Sequence, residues 1–119
     1  MIIWVVDDDT AHANSVRELT NLVLGPKKIH TFSTWESCLE ASGVPDIIIL
    51  DLSIIGSITS GPYFYLKEIN VLINKYHATT FIVNSGISYA NEVVKELKEA
   101  HPYVDIRLTP YAGLKAVLT

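Results

Sequence analysis

Five short apolar runs alternate with segments of helical periodicity along this chain. The runs are rich in β-branched residues and comprise Ile2–Val6, Asp46–Leu50, Thr79–Val83, Ile106–Leu108 and the weaker, more polar Lys28–Phe32. Runs of this length and composition are typical of strands buried on both faces, which occur mainly in parallel sheets covered by helices. The alternation therefore predicts repeated βαβ units in an α/β fold.

The segments between the runs carry apolar residues at helical spacing. The clearest amphipathic helix is predicted where Ala90, Val93, Val94 and Leu97 recur at i, i+3, i+4 and i+7. Right-handed crossovers leave few arrangements for this repeat, and the flavodoxin-like strand order 2-1-3-4-5 is favoured. We therefore expect a single domain over residues 1–119, a doubly wound sandwich whose five-stranded parallel sheet has helices on both faces.

Aspartates follow two of the predicted strands. Asp7, Asp8 and Asp9 come directly after the first run, and Asp51 follows the third. The first and third strands are neighbours in the predicted order, and ligands of open α/β sheets bind outside the carboxyl ends of the strands. Clustered carboxylates are hard oxygen ligands that suit Mg²⁺. The sequence therefore predicts a metal site beside a reactive carboxylate.

Other polar residues end the remaining strands or begin helices. Ser85 and Thr109 follow the fourth and fifth runs and should line the same rim. Asp9 is assigned to capping the next helix, since Asp is favoured there, which leaves Asp7 and Asp8 as metal ligands. The four histidines show no metal-ligand spacing and are interpreted as surface or core residues.

Over essentially the whole chain these residues resemble the receiver domains of two-component response regulators. Asp7 and Asp8 match the acidic pair of that family, Asp51 its phosphoacceptor, and Ser85, in Ser85-Gly86, its Ser or Thr after strand four. The resemblance implies that Asp51 accepts a phosphoryl group and that Ser85 contacts it. It also implies that Asp7, Asp8, Asp51 and the backbone carbonyl of Ser53 hold Mg²⁺, with Mn²⁺ as an alternative.

The chain departs from the family pattern after strand five. A Lys-Pro pair there is matched only by Thr109-Pro110, and Thr109 lacks the charge with which the family's Lys contacts the phosphoryl group. Arg107 and Lys115 are the candidate substitutes, and Ile106 stands where active members carry a switching aromatic residue. The resemblance further implies a cis peptide bond before Pro110.

Three functions are compatible with these residues. We expect a signalling domain rather than an enzyme, one that takes a phosphoryl group on Asp51 from a sensor histidine kinase or a histidine phosphotransfer protein and acts through protein contacts. The alternative is a pseudo-receiver, an interaction module that works without phosphorylation. A small phosphatase with an aspartyl nucleophile would fit Asp7-Asp8-Asp9, but no further acidic motif follows.

Composition narrows the partners and the location. The formal net charge is -4 and the nine Lys and Arg residues form no basic run, which argues against direct nucleic-acid binding. Cys38 is the one cysteine, so an internal disulfide is excluded and a reducing cytosol is favoured. No apolar stretch approaches the roughly 20 residues of a membrane span, and the start lacks the basic region of a signal peptide. The expected location is cytoplasmic.

Overall fold

A computed structural model describes residues 1–25, 28–51, 66–85 and 90–118 of the chain. The strands are β1 (Ile2–Val6), β2 (Lys28–Phe32), β3 (Ile47–Leu50), β4 (Thr80–Asn84) and β5 (Ile106–Thr109). They form one sheet in the order β2-β1-β3-β4-β5, and all neighbouring pairs are parallel. The predicted flavodoxin-like α/β class and its strand order are thus confirmed.

Helices connect the strands. They are α1 (Thr10–Leu24), α2 (Trp35–Glu40), α3 (Leu66–Lys75), α4 (Ala90–Ala100) and α5 (Leu114–Leu118), the last preceded by a 3-10 turn at Tyr111–Gly113. Asp9 caps α1 as predicted, because its carboxylate accepts the backbone N–H of His12 at 3.1 Å. Gly25 ends α1 with a φ of 78°, a conformation that favours glycine. Among the described residues no helix has both the length and the apolar character that crossing a membrane requires.

Two hydrophobic cores lie on opposite faces of the sheet. Side chains alternate between the faces along each strand, so that Trp4, Ile48 and Phe81 enter the core beneath α3 and α4. The other core lies beneath α1 and α5 and contains Ile3, Val5, Ile49, Ile82, Leu114 and Leu118. Because of the same alternation, a residue two places after a member of the second core also faces α1 and α5. This applies to the polar residues at the carboxyl ends of the strands.

Candidate functional site

One row of polar residues crosses the carboxyl edge of the sheet. It consists of Asp7, Asp51, Asn84 and Thr109. Asp7, Asp51 and Asn84 lie two residues beyond Val5, Ile49 and Ile82 respectively, and so on the face covered by α1 and α5. The row follows from the register, in which Val6 pairs with Leu50, Leu50 with Val83, and Asn84 with Thr109. It continues past the strand ends, because the Asp51 N–H donates to the Val6 carbonyl at 3.1 Å. The sheet itself thus brings Asp7 and Asp51 together, as the sequence predicted.

Asp7 is a buried carboxylate with only 4% of its surface exposed. One of its oxygens accepts the backbone N–H of Asp9 at 2.9 Å, and the other contacts the imidazole Nδ1 of His12. Burial raises the pKa of Asp7, the contacts with His12 and Asp9 oppose that rise, and the nearby charge of Asp51 adds to it. A positive charge placed between the two carboxylates would offset both the cost of burying the charged Asp7 and its repulsion with Asp51.

His12 reaches this edge from the first turn of α1. Because the cap at Asp9 fixes where α1 begins, the side chain of His12 folds back over Asp7 and keeps 31% exposure. Its ring also lies 5.6 Å from that of Tyr111, at the start of the 3-10 turn. The interpretation of His12 as a surface or core residue missed this contact, which depends on the helix cap rather than on a ligand motif.

Asp7, His12 and Asp51 form what we name the carboxyl-edge cluster. Each offers one ligand atom, and these atoms all lie within 4.8 Å of one another. Metal–ligand bonds to carboxylate oxygen or imidazole nitrogen are about 2.0–2.2 Å long, so atoms on opposite sides of one ion are roughly 4 Å apart. The cluster therefore has the dimensions and the donor atoms to hold one divalent cation.

Asn84 adds an unsatisfied oxygen to the same row. The residue is 3% exposed, and its buried Oδ1 has no hydrogen-bond partner in the part of the chain that the structure describes. Buried polar atoms are nearly always satisfied, so this oxygen suits a cation or a water molecule held by one. The sequence predicts that the fourth strand ends at Val83, whereas β4 continues to Asn84. Asn84 is not among the predicted site residues.

The remaining predicted metal ligands are Asp8 and the backbone carbonyl of Ser53. Asp8 is exposed to solvent and does not belong to the carboxyl-edge cluster. Ser53 falls outside the described residues, so its predicted carbonyl contact stays a prediction. Of the predicted ligand set, the structure therefore brings together Asp7 and Asp51.

Ser85 and Thr109 lie next to each other at the ends of β4 and β5. The Ser85 N–H donates to the Thr109 carbonyl at 3.1 Å, and both residues are buried. The Thr109 hydroxyl donates to the carbonyl of Pro110 at 2.9 Å. Because no peptide bond in the described residues is cis, the Thr109–Pro110 bond is trans, contrary to what the resemblance implied.

Arg107, one candidate substitute for the family's Lys, points away from the carboxyl edge. Its guanidinium pairs with Asp105, which precedes β5, at 2.9 Å and donates to the Val117 carbonyl at 3.2 Å. This pairing holds the pKa of Asp105 below its usual range. The other candidate, Lys115, lies exposed on α5, and Ile106 is buried in the core beneath α3 and α4.

Solved structures of response regulators share this fold. A response regulator from Burkholderia pseudomallei with a phosphorylated aspartic acid, calcium ion and citrate matches with a TM-score of 0.72 and 18% identity, over 98% of this chain and 64% of that one. The BeF3-activated receiver domain of DrrB, a Thermotoga maritima protein, matches with a TM-score of 0.69 and 23% identity, over 98% and 92%. An adenylate cyclase from Rhodopirellula baltica matches with a TM-score of 0.69 and 16% identity, over 98% and 83%.

These similarities concern the fold. The first response regulator is longer than this chain, which spans 64% of it. No protein-family model matches the sequence, and no curated protein does either. The predicted likeness to receiver domains is thus confirmed for the architecture over nearly the whole chain.

Proposed function

We propose that this chain is a receiver-like signalling domain that accepts a phosphoryl group on Asp51. The observation that carries the proposal is the adjacency of Asp51 to the buried Asp7 at the carboxyl edge of a receiver fold. The response regulator from Burkholderia pseudomallei, which shares this fold, has a phosphorylated aspartic acid and a calcium ion. A sensor histidine kinase or a histidine phosphotransfer protein is the proposed donor.

The proposed step is a substitution at phosphorus. A carboxylate oxygen of Asp51 forms a bond to the phosphorus of a phosphohistidine, the phosphorus–nitrogen bond breaks, and its electron pair stays on the departing imidazole. A bound divalent cation supplies positive charge that offsets the repulsion between the carboxylate and the phosphoryl oxygens.

We propose Mg²⁺ as that cation and Asp7 and Asp51 as its principal ligands. Asp8 and the Ser53 carbonyl complete the proposed set, and the Ser85 hydroxyl is the proposed contact for the phosphoryl group. The carboxylates of Asp7 and Asp51 supply hard oxygen donors, which Mg²⁺ prefers. We also propose that the protein is cytoplasmic and that it signals through contacts with other proteins.

A phosphorylation-independent interaction module is the second candidate, favoured by one observation. The residue at the position of the family's Lys is Thr109, whose hydroxyl is held by the neighbouring Pro110 carbonyl. Because this hydroxyl is uncharged and already has a hydrogen-bond partner, a phosphoryl group on Asp51 would attract it only weakly. In this candidate the fold presents a binding surface whose state does not depend on Asp51.

Incubation with acetyl phosphate and Mg²⁺, followed by intact mass measurement, separates the two candidates. We expect one added phosphate on the parent and none on Asp51→Asn, which keeps the size of the side chain. The matched control is Asp46→Asn, because Asp46 precedes the same strand at its opposite end and accepts the Ile2 N–H. An unmodified parent that binds a protein partner as tightly as Asp51→Asn does would support the interaction module.

A further inference from the structure

His12 introduces a nitrogen donor into a site that otherwise offers oxygen. Its imidazole Nδ1 contacts the Asp7 carboxylate, and its ligand atom belongs to the carboxyl-edge cluster together with those of Asp7 and Asp51. Imidazole suits transition metals such as zinc, nickel and copper, whereas carboxylate, carbonyl and water ligands suit magnesium and calcium. The donor set at this edge is therefore mixed rather than purely hard.

An independent feature of the same row points to a ligand. The Asn84 Oδ1 is buried without a hydrogen-bond partner among the described residues, and by strand alternation its side chain shares the face of Asp7 and Asp51. An amide oxygen in that position can bind a cation directly or accept a hydrogen bond from a metal-bound water. With Asn84 the row offers a fourth donor to an ion bound by the carboxyl-edge cluster.

We propose that His12 is a metal ligand and that it raises the affinity of the carboxyl-edge cluster for first-row transition metal ions without raising its affinity for Mg²⁺. The proposal rests on the metal site of the proposed function but does not require phosphoryl transfer. Mg²⁺ dehydrates reluctantly and demands near-octahedral oxygen coordination, so it gains little from an imidazole. An ion such as Co²⁺ or Zn²⁺ accepts two carboxylates and an imidazole readily.

A purely structural role for His12 makes a different prediction. If the imidazole only stabilises the buried Asp7 carboxylate, its replacement changes the affinity for all divalent ions in the same proportion. If it is a ligand, its replacement lowers the affinity for Co²⁺ and Zn²⁺ and leaves that for Mg²⁺ nearly unchanged. The ratio of the two affinities therefore distinguishes the roles.

The test compares Co²⁺ and Mg²⁺ dissociation constants for the parent, His12→Gln and His77→Gln. Glutamine retains a donor toward Asp7 and removes the imidazole, and the exposed His77 precedes β4 at the opposite edge of the sheet. We expect His12→Gln to weaken Co²⁺ binding at least about tenfold and to change Mg²⁺ binding less than about twofold. His77→Gln should match the parent for both ions.

A second measurement needs no variant. In the parent labelled with ¹⁵N at histidine, Zn²⁺ should move one imidazole nitrogen resonance of His12 to the position of a metal-bound nitrogen, whereas Mg²⁺ should produce no metal-bound nitrogen. Absence of a metal-bound His12 nitrogen with Zn²⁺ in the site, or equal weakening of Co²⁺ and Mg²⁺ binding in His12→Gln, would overturn this inference. The proposed function would survive either result if Mg²⁺ still supported modification of Asp51, and it would fail separately if that modification were absent.

Discussion

The Asp7 carboxyl combines burial with the proximity of Asp51, and this gives stability a defined dependence on pH. Because the pKa of Asp7 is raised above the 3.8 of an ordinary aspartate, the folded protein binds this proton more tightly than the unfolded chain. The stabilising contribution of Asp7 is fully present at pH values below its pKa in the unfolded chain. It is lost as the pH rises through its pKa in the folded protein. Raising the pH through the folded pKa therefore costs stability in metal-free protein, because it places a charge on the buried Asp7 carboxyl.

Asp7→Asn should therefore raise the free energy of unfolding of the metal-free protein relative to the parent at pH values above the folded pKa of Asp7, because the substitution removes a buried charge. Urea unfolding at a series of pH values above 3.8 measures the effect. The control is Asp105→Asn, since Arg107 lowers the pKa of Asp105. The stabilising contribution of Asp105 is therefore lost as the pH falls, opposite to that of Asp7. Parallel stability curves for the parent and Asp7→Asn would contradict the assignment.

Thr109 is the residue at which a single substitution should strengthen the proposed chemistry. A lysine there would bring an ammonium to the row of polar residues that contains Asp51, at the position where the family carries its Lys. We expect Thr109→Lys to increase the rate of modification by acetyl phosphate about tenfold, which corresponds to roughly 1.4 kcal/mol in the barrier. Thr80→Lys, with the same charge at the start of β4, should react like the parent, and equal rates for all three proteins would refute the expectation.

Sequence reasoning reached some of these residues and not others, for physical reasons. Asp7 and Asp51 end buried apolar runs, and the fold class alone makes their strands neighbours. The contact of His12 with Asp7 depends on where α1 begins, and the place of Asn84 in the row depends on β4 running one residue beyond the predicted end. Helix starts and strand ends are set by local hydrogen bonds, and single-residue differences in them decide which side chains meet.

At the scale of elements, the junction between β5 and α5 is tightly packed. A Cβ at Gly113 would lie 2.5 Å from the Thr109 Oγ1, closer than real side chains approach. That hydroxyl is itself fixed by its bond to the Pro110 carbonyl, so it cannot rotate away without losing the bond. The 3-10 turn therefore requires glycine for close approach to Thr109.

Gly113→Ala should lower the free energy of unfolding by about 1–2 kcal/mol, the usual cost of overpacking. In a Thr109→Ala background the same substitution should be nearly neutral, because the clashing atom is absent. Chemical unfolding of the four proteins gives the coupling energy of this double-mutant cycle. A coupling energy near zero would show that Gly113 serves another purpose.

The elements themselves followed largely from the pattern of the chain. Short β-branched runs predicted all five strands to within a residue at their ends. The start of α2 is less well defined by the sequence, which offers the adjacent hydroxyl residues Ser33 and Thr34 as its cap. In the structure Thr34 is the cap, and its hydroxyl accepts the Ser37 N–H at 3.1 Å.

At the scale of the whole molecule, metal binding should be linked to folding. The carboxyl-edge cluster draws its ligands from the ends of β1 and β3 and from α1, so the unfolded chain does not possess the site. Saturating Mg²⁺ at about 100 times the dissociation constant should raise the free energy of unfolding by about 2.7 kcal/mol. Thermal melts with Mg²⁺ should exceed those with NaCl of equal ionic strength by several degrees, whereas Asp51→Asn should lose most of the difference. A melting temperature indifferent to Mg²⁺ in the parent would contradict the site.

The central position of β1 has a consequence for how the chain is made. Ile3 pairs with Ile29 on one side and with Ile47 on the other, so a ribosome that has released only the first strand has released no partner for it. The apolar segment stays unpaired in the nascent chain until β2 emerges, one of its two edges stays open until β3 follows, and α5, which covers one of its faces, is synthesised after all five strands. Segments of this composition favour intermolecular pairing while they are exposed. Burial of Trp4 against Phe32 and Tyr76, with ring centroids 5.2 and 5.4 Å away, provides an emission signal that reports when this strand has found its partners.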